Sequence, residues 1–238
     1  MDFRTKAFAV NALSVFEPIA LRYDLEVVSR AIDDGISPYD LIKRKQISPI
    51  ELAAVLAVKG LENGDGLGLP LQTGLPINSQ AKANLIPGFW SKQLPVFPET
   101  FILNLAAGLL QIYDFWEESH SAAQRADDLG EHRLSAHWHA ICHRREPDAF
   151  NANYWWGRVG RNPLAQILGK IVSESAKGQS PGIRHLADKI LEGGGFNDRA
   201  MVAQSIAVKD VSEEAAFLRR LQKYEMLLLI DLTIDQLT

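Results

Sequence analysis

The sequence predicts an all-α fold, and three observations lead to that prediction. Capping serines followed by proline mark helix starts at Ser37-Pro38 and Ser48-Pro49. Apolar residues recur at spacings of three and four between residues 101 and 116. The sequence shows no alternation of strands with helices and few β-branched runs. We therefore expect one multi-helix bundle or orthogonal array, forming a single domain over residues 1–238.

The helix over Pro49–Leu61 has the clearest start signal in the chain. Ser48 is followed three residues later by Glu51, which is the spacing of a capping box. Two further helices are expected before it, at Asp2–Arg22 and Leu25–Ile32. The chain before residue 63 is therefore expected to be mostly helical.

Residues 63–98 interrupt this pattern. Five prolines and five glycines remove any helical period from the segment. It nevertheless contains many large apolar residues, among them Leu69, Leu71 and Trp90, which argues against a solvated linker. We expect a long, ordered Pro/Gly-rich loop packed on the helical body. Such a loop is either a structural wrap or a lid over a site.

From Glu99 the chain is predicted to be helical nearly to its end. The first of these helices is expected to run to about Asp127. Around Met226–Ile230 the last helix is apolar on every side, which predicts a central position in the core. Further helices are predicted at His132–Arg145, Phe150–Val159, Leu164–Ala176, Gly182–Leu191, Asp198–Val208 and from Ser212 onward.

Composition and charge exclude several classes of protein. A hydrophobic fraction of 47% excludes a disordered or fibrous chain. The formal net charge of −4 gives no footprint for nucleic acid or for an anionic membrane surface. One cysteine, Cys142, excludes an internal disulfide framework and a CxxC metal site. No apolar run is long enough to cross a bilayer, and a single thiol is typical of a protein of the reducing cytoplasm. We therefore expect a cytoplasmic protein without nucleic-acid or membrane partners.

Four of the six histidines lie between residues 132 and 143. On a helix, His139 and His143 share a face, and Glu146 joins that face if the helix reaches it. His120 on the preceding helix converges with them if the two helices are antiparallel neighbours. Imidazole nitrogens with a carboxylate form a ligand set for Zn²⁺ or Fe²⁺. The metal hypothesis therefore names His120, His139, His143 and Glu146. The competing interpretation is a polar seam in which these histidines only hydrogen-bond.

A second set of candidates lies in the same stretch. Arginine forks either pair with carboxylates or bind an anionic ligand. An aromatic side chain beside them can stack on a ligand or belong to the core. The predicted ligand-binding residues are Arg144, Arg145, Asp148, Tyr154 and Arg158.

The segment 138–160 resembles the signature of a group of bacterial and fungal proteins. Their shared pattern reads Trp-His, three residues, His-Arg-Arg-Glu-Gly-Asp, then Asn-Ala-x-Tyr-Trp and Arg-Val-Gly. This chain has Pro147 where the pattern has glycine. The upstream pair Glu118 and His120 and the C-terminal Leu221, Gln222 and Glu225 are also similar to the group. The matching residues are Trp138, His139, His143, Arg144, Arg145, Glu146, Asp148, Asn151, Ala152, Tyr154, Trp155, Arg158, Val159 and Gly160.

This resemblance covers about a third of the chain and does not include residues 1–98. The group has no established activity, so the resemblance implies a helical fold and no chemistry. Independently of it, the hairpin Leu134–Val159 looks like a single tetratricopeptide-type unit.

Two functions follow from these features. The first is a helical binding or scaffold protein that recognises a small molecule or a protein. The alternative is a metal-dependent enzyme or metal-binding protein that uses Zn or Fe at the histidines, with residues 63–98 as a lid. The distances between the imidazole rings distinguish these two functions. If His120, His139 and His143 lie more than about 6 Å apart, they cannot share one ion.

Overall fold

The computed structural model describes residues 35–45, 47–62, 64–209 and 211–235. Within these ranges the chain forms eleven α-helices, one short 3-10 helix and no strand, which confirms the predicted all-α fold. The helices predicted at Asp2–Arg22 and Leu25–Ile32 lie outside the described residues.

The α-helices follow one another in a bundle without any sheet. The 3-10 helix Ser79–Asn84 lies between the second and the third of them. In chain order they are α1 (Pro38–Lys43), α2 (Pro49–Leu61), α3 (Pro87–Gln93), α4 (Glu99–Ile112), α5 (Trp116–Asp128), α6 (Leu134–Arg145), α7 (Ala149–Val159), α8 (Ala165–Ala176), α9 (Pro181–Ile190), α10 (Asp198–Ala207) and α11 (Glu213–Asp235).

The capping box at the start of α2 is confirmed. The amide of Glu51 donates to Ser48 Oγ at 3.1 Å, and the amide of Ser48 donates to Glu51 Oε2 at 2.6 Å. Proline follows at the first helical position, where no amide hydrogen is needed. Local chemistry alone therefore fixes where this helix begins.

The prediction of one continuous helix from Glu99 to Asp127 is wrong. The chain breaks between α4 and α5, and Asp114 adopts the left-handed region with φ 65°. Aspartate tolerates this region better than most residues do. Its carboxylate is used here, because it accepts hydrogen bonds from Thr73 Oγ1 at 2.9 Å and from the Gly74 amide at 3.0 Å. The break thus joins the helical body to the preceding segment.

Residues 64–98 contain more regular structure than the sequence predicts, since they include the 3-10 helix and α3. Neither helix is longer than two turns, so their hydrophobic period cannot be recognised among the prolines. Leu69, Leu71, Leu85 and Trp90 are buried against the helical body. Whether this segment acts as a wrap or as a lid stays a prediction.

The core is centred on α4, α6 and α11. Every residue of α6 is buried, as is every residue of α11 from Leu221 to Asp231. Gly108 of α4 permits the closest approach among the three, because a Cβ there would lie 2.5 Å from Trp138 and 2.7 Å from Ile230. The expected central position of Met226–Ile230 is confirmed.

Helices α6 and α7 pack against each other as a hairpin. Asp148 caps α7 by accepting a hydrogen bond from the Asn151 amide at 3.0 Å. The likeness of this hairpin to a tetratricopeptide unit stays a prediction. In the part of the chain that the structure describes, no helix is long and apolar enough to span a membrane.

Candidate metal centre

Three histidines from two neighbouring helices converge at one place. His120 lies on α5, and His139 and His143 lie one turn apart on α6. The ring of His120 is 4.2 Å from that of His139 and 5.1 Å from that of His143, between centroids. Each ring offers a nitrogen, and these nitrogens lie within 4.8 Å of one another. The three imidazoles are therefore inside the distance at which they could share one ion.

Two tryptophans hold two of these rings in place. Trp155 of α7 stacks on His139 with centroids 3.8 Å apart and an angle of 8° between the planes. Trp116 stacks on His120 at 5.1 Å and 20°, and its indole nitrogen donates to the Cys142 carbonyl at 2.9 Å. Because the indoles restrict ring rotation, the histidines are oriented before any ligand binds.

The third ring is oriented by a carboxylate. His143 Nδ1 lies 2.9 Å from Glu146 Oε2, which is a hydrogen-bond distance. The carboxylate thereby occupies one ring nitrogen of His143 and leaves the other one available. Glu146 and Asp148 also lie within 4.8 Å of His143, measured between atoms that could bind a cation. Glu146, predicted as a direct ligand, thus contacts the cluster through His143.

The electrostatics of the cluster favour neutral imidazole. Burial, together with the neighbouring His120 and His143, lowers the pKa of His139 to about 3. Burial and the nearby His143 also lower the pKa of His120. Neutral imidazole is the form that binds metals. At neutral pH, therefore, no proton has to leave His139 before a metal binds.

A cleft of about 440 Å³ lies beside the cluster. Trp116 and Glu146, which contact the histidines, form part of its wall, and Thr73 and Gly74 also line it. Residues of the predicted lid segment therefore line the space next to the histidines. Thr73 is held there because its amide donates to the Arg145 carbonyl at 2.9 Å.

The predicted anionic-ligand residues are not brought together. Arg144 is buried and pairs with Glu225, at 2.5 Å between Nη2 and Oε2. Arg145 is also buried and pairs with Asp114, at 3.0 Å between Nη1 and Oδ1. The two guanidinium groups thus face different carboxylates inside the core, and their part in binding a ligand stays a prediction.

The remaining candidates lie at the surface of α7. Arg158 donates through Nη2 to both carboxylate oxygens of Asp127, at 2.9 and 3.0 Å, and lies 5.2 Å from the Trp155 ring. Tyr154 is 53% exposed. Asp148 uses its carboxylate to cap α7, and the amide of Asn151 holds the pKa of that carboxyl below its usual value. Arg158 and Asp148 thus have structural partners and Tyr154 is open to solvent, and ligand binding by these three residues stays a prediction.

Sequence reasoning missed the part played by the tryptophans. Trp116 lies four residues before His120, so the pair shares a helix face, and this spacing was a readable signal. No signal in the sequence pairs Trp155 with His139, because they lie on different helices. Cys142 is buried as expected, and burial raises the pKa of its thiol to about 12.

Comparison with protein-family models, with curated proteins and with solved structures finds no match to this chain.

Proposed function

We propose that this chain is a metal-dependent enzyme that holds one Zn²⁺ or Fe²⁺ at His120, His139 and His143. The observation that supports the proposal is the convergence of three imidazole nitrogens within 4.8 Å of one another. Nitrogens bound tetrahedrally to one zinc lie about 3.3 Å apart, as follows from Zn–N bonds of ~2.0–2.1 Å. Small side-chain rotations would therefore close the set around an ion.

Three protein ligands are the number found in catalytic rather than structural zinc sites. A metal held in this way keeps an open position for water or substrate and lowers the pKa of bound water to about 7. The half-buried His120 and the neighbouring cleft would give solvent access to that position.

The chain's own residues support this chemistry in two ways. The carboxylate of Glu146 fixes the ring of His143, which is the usual arrangement around histidine ligands of zinc. The indoles of Trp116 and Trp155 cover the faces of His120 and His139. Both contacts restrict the ligands to orientations close to the binding geometry.

A helical binding or scaffold protein is the second candidate. The observation in its favour is on α7, where Phe150 is 82% exposed and Tyr154, one turn later, is 53% exposed. Two exposed aromatic side chains on one helix face are typical of a protein contact surface. On this alternative the histidines are a polar aromatic seam that requires no metal.

Metal titration tests the first proposal. We expect purified, chelator-treated protein to bind one equivalent of Zn²⁺, and to show the d–d absorption of a nitrogen-ligated site when Co²⁺ replaces it. Co²⁺ should also quench tryptophan fluorescence, since Trp116 and Trp155 contact two of the ligands.

The matched variants are His120→Ala and His185→Ala. His120 is a half-buried ligand, whereas His185 is exposed on α9 and lies outside the cluster. We expect His120→Ala to lose the bound equivalent of Zn²⁺ and His185→Ala to bind it as the parent chain does. A helical protein that binds no Zn²⁺, or that binds it equally in both variants, would overturn the proposal and favour the scaffold function.

A further inference from the structure

A second cleft, of about 570 Å³, lies where three connections between helices meet. Arg133 precedes α6, Arg161 and Asn162 follow α7, and Gly193–Gly195 connects α9 to α10. None of the residues of the His120–His139–His143 cluster lines this cleft. It is therefore a separate feature of the molecule.

The charge of this cleft has one sign. Among the residues that the structure places in its wall, two are arginines and none is acidic. The cleft beside the histidines is the opposite case, since Glu117, Glu118 and Glu146 line it together with a single lysine. The cleft lined by Arg133 and Arg161 therefore favours anions, and the cleft beside the histidines does not.

The guanidinium groups of Arg133 and Arg161 are free to bind a ligand. Within the described part of the chain, neither the Arg133 nor the Arg161 guanidinium forms an ion pair, and both residues are exposed. The backbone amide of Arg133 donates to Glu131 Oε1 at 2.9 Å. By contrast, Arg144, Arg145 and Arg158 are each paired with an acidic residue. Arg133 and Arg161 thus place two guanidinium groups without an acidic partner on one concave surface of the described chain.

The rest of the wall is suited to a polar ligand. Gly193, Gly194 and Gly195 carry no side chains, so a ligand can approach their backbone closely. Gln166, in the first turn of α8, lines the same space, and this end of a helix carries a partial positive charge. Both features add to the attraction of the guanidinium groups for an anion.

We propose that this cleft binds the phosphate group of a small phosphorylated molecule through Arg133 and Arg161. The guanidinium fork matches phosphate oxygens with two parallel hydrogen bonds. The volume of about 570 Å³ lies in the range of small-molecule sites and exceeds what a phosphate ion alone would fill. The remainder of the molecule would lie along the glycine wall. This site is independent of the proposed metal function.

Calorimetric titration with glycerol 3-phosphate tests the proposal, with glycerol and inorganic phosphate as the matched probes. We expect the phosphate ester to bind, inorganic phosphate to bind more weakly, and glycerol not to bind. Arg133→Gln and Arg161→Gln should each weaken the affinity about tenfold, because each removes charged hydrogen bonds. The affinity should also fall as salt rises.

Arg184→Gln is the control, because Arg184 is an exposed arginine of α9 outside the cleft. It should bind the ester as the parent chain does. The titrations are made with chelator present, so that failure of the metal proposal leaves their result unaffected. Three results would each overturn the proposal. They are no heat with the ester, an unchanged affinity when Arg133 and Arg161 are both replaced by glutamine, and equal affinity for the ester and inorganic phosphate.

Discussion

The two sides of helix α6 bury cationic residue types in opposite ways. On one side, His139 and His143 meet His120, and aromatic rings surround them. On the other side, Arg144 and Arg145 are buried just as deeply, and each faces a carboxylate. The residues are neighbours in the sequence, yet one side of the helix forms a cluster of imidazole rings and the other forms buried arginine–carboxylate pairs.

The difference follows from whether a side chain can lose its charge. Imidazole becomes neutral at modest cost, so burial lowers its pKa and no counter-ion is needed. Guanidinium stays charged at any ordinary pH, so its burial requires an opposite charge. Glu225 shows the same principle from the acidic side. Burial alone would raise its pKa, but the charge of Arg144 lowers it to about 2.

The largest effect is expected from Arg145→Met, which leaves the buried Asp114 without its partner. Arg145 also lies against backbone carbonyls of Pro70 and Gln72, so the variant would release the segment before the 3-10 helix. We expect the free energy of unfolding to fall by about 3–5 kcal/mol, the usual cost of breaking a buried pair. Urea denaturation monitored by circular dichroism measures it.

The control for this prediction is Arg125→Met. Arg125 and Glu99 form an ion pair at 3.5 Å in which both side chains are more than half exposed. Its loss should change the free energy of unfolding by less than about 1 kcal/mol. Equal effects of the two substitutions would contradict the view that buried guanidinium groups depend on their partners.

Burial of His139 is expected to make the free energy of unfolding depend on pH. The pKa of His139 is about 3 in the folded chain, whereas the unfolded chain has the ordinary value of 6.5. Between these values the unfolded state binds more protons, so stability decreases as the pH falls from 6.5. The slope is at most about 1.4 kcal/mol per pH unit for one group. Urea denaturation at several pH values, with chelator present, measures it.

The variant that isolates this effect is His139→Phe, which keeps an aromatic ring against Trp155 and removes the titration. Its stability should vary less with pH between 6.5 and 4 than that of the parent chain. His185→Gln, on the surface of α9, should leave the slope unchanged. If His139→Phe has the parent slope, then His139 is not the group that protonates on unfolding.

Sequence reasoning predicted the members of the histidine cluster but not what assembles it. The i, i+4 spacing places His139 and His143 on one face, because helix geometry alone decides it. The position of His120 depends on the break at Asp114, which exists because Arg145 and the segment 73–74 use that carboxylate. A break made by tertiary partners leaves no local signal.

The arginines could not be assigned for a related reason. Arg144 pairs with a residue 81 positions later, and no periodicity connects the two. The same sequence pattern, three arginines near two acids, fits either an anion site or a set of buried pairs. Burial decides between them, and burial is a property of the assembled bundle.

Glu146→Ala tests the histidine side of α6 directly, because the carboxylate of Glu146 contacts His143. If the cluster binds metal, loss of a carboxylate that orients a ligand should weaken Zn²⁺ affinity about 10–100-fold. Glu146→Gln should recover part of the affinity, since the amide oxygen can still accept a hydrogen bond from His143. Competition with a chromophoric chelator measures both. Identical affinity in Glu146→Ala and the parent chain would show that Glu146 does not orient His143.

The smallest effect is expected from Arg158→Gln. The ion pair that it removes is more exposed than the Arg145–Asp114 pair and less exposed than the Arg125–Glu99 pair. Arg158 pairs with Asp127 as the buried arginines pair with their acids, but its side chain is 35% exposed. His132 Nδ1 also lies 2.8 Å from Asp127 Oδ1 and stays as a partner of this carboxylate in the variant. We therefore expect the free energy of unfolding to fall by no more than about 1 kcal/mol. Urea denaturation beside Arg145→Met makes the comparison direct. A loss as large as that of Arg145→Met would mean that burial does not set the cost of losing a guanidinium partner in this protein.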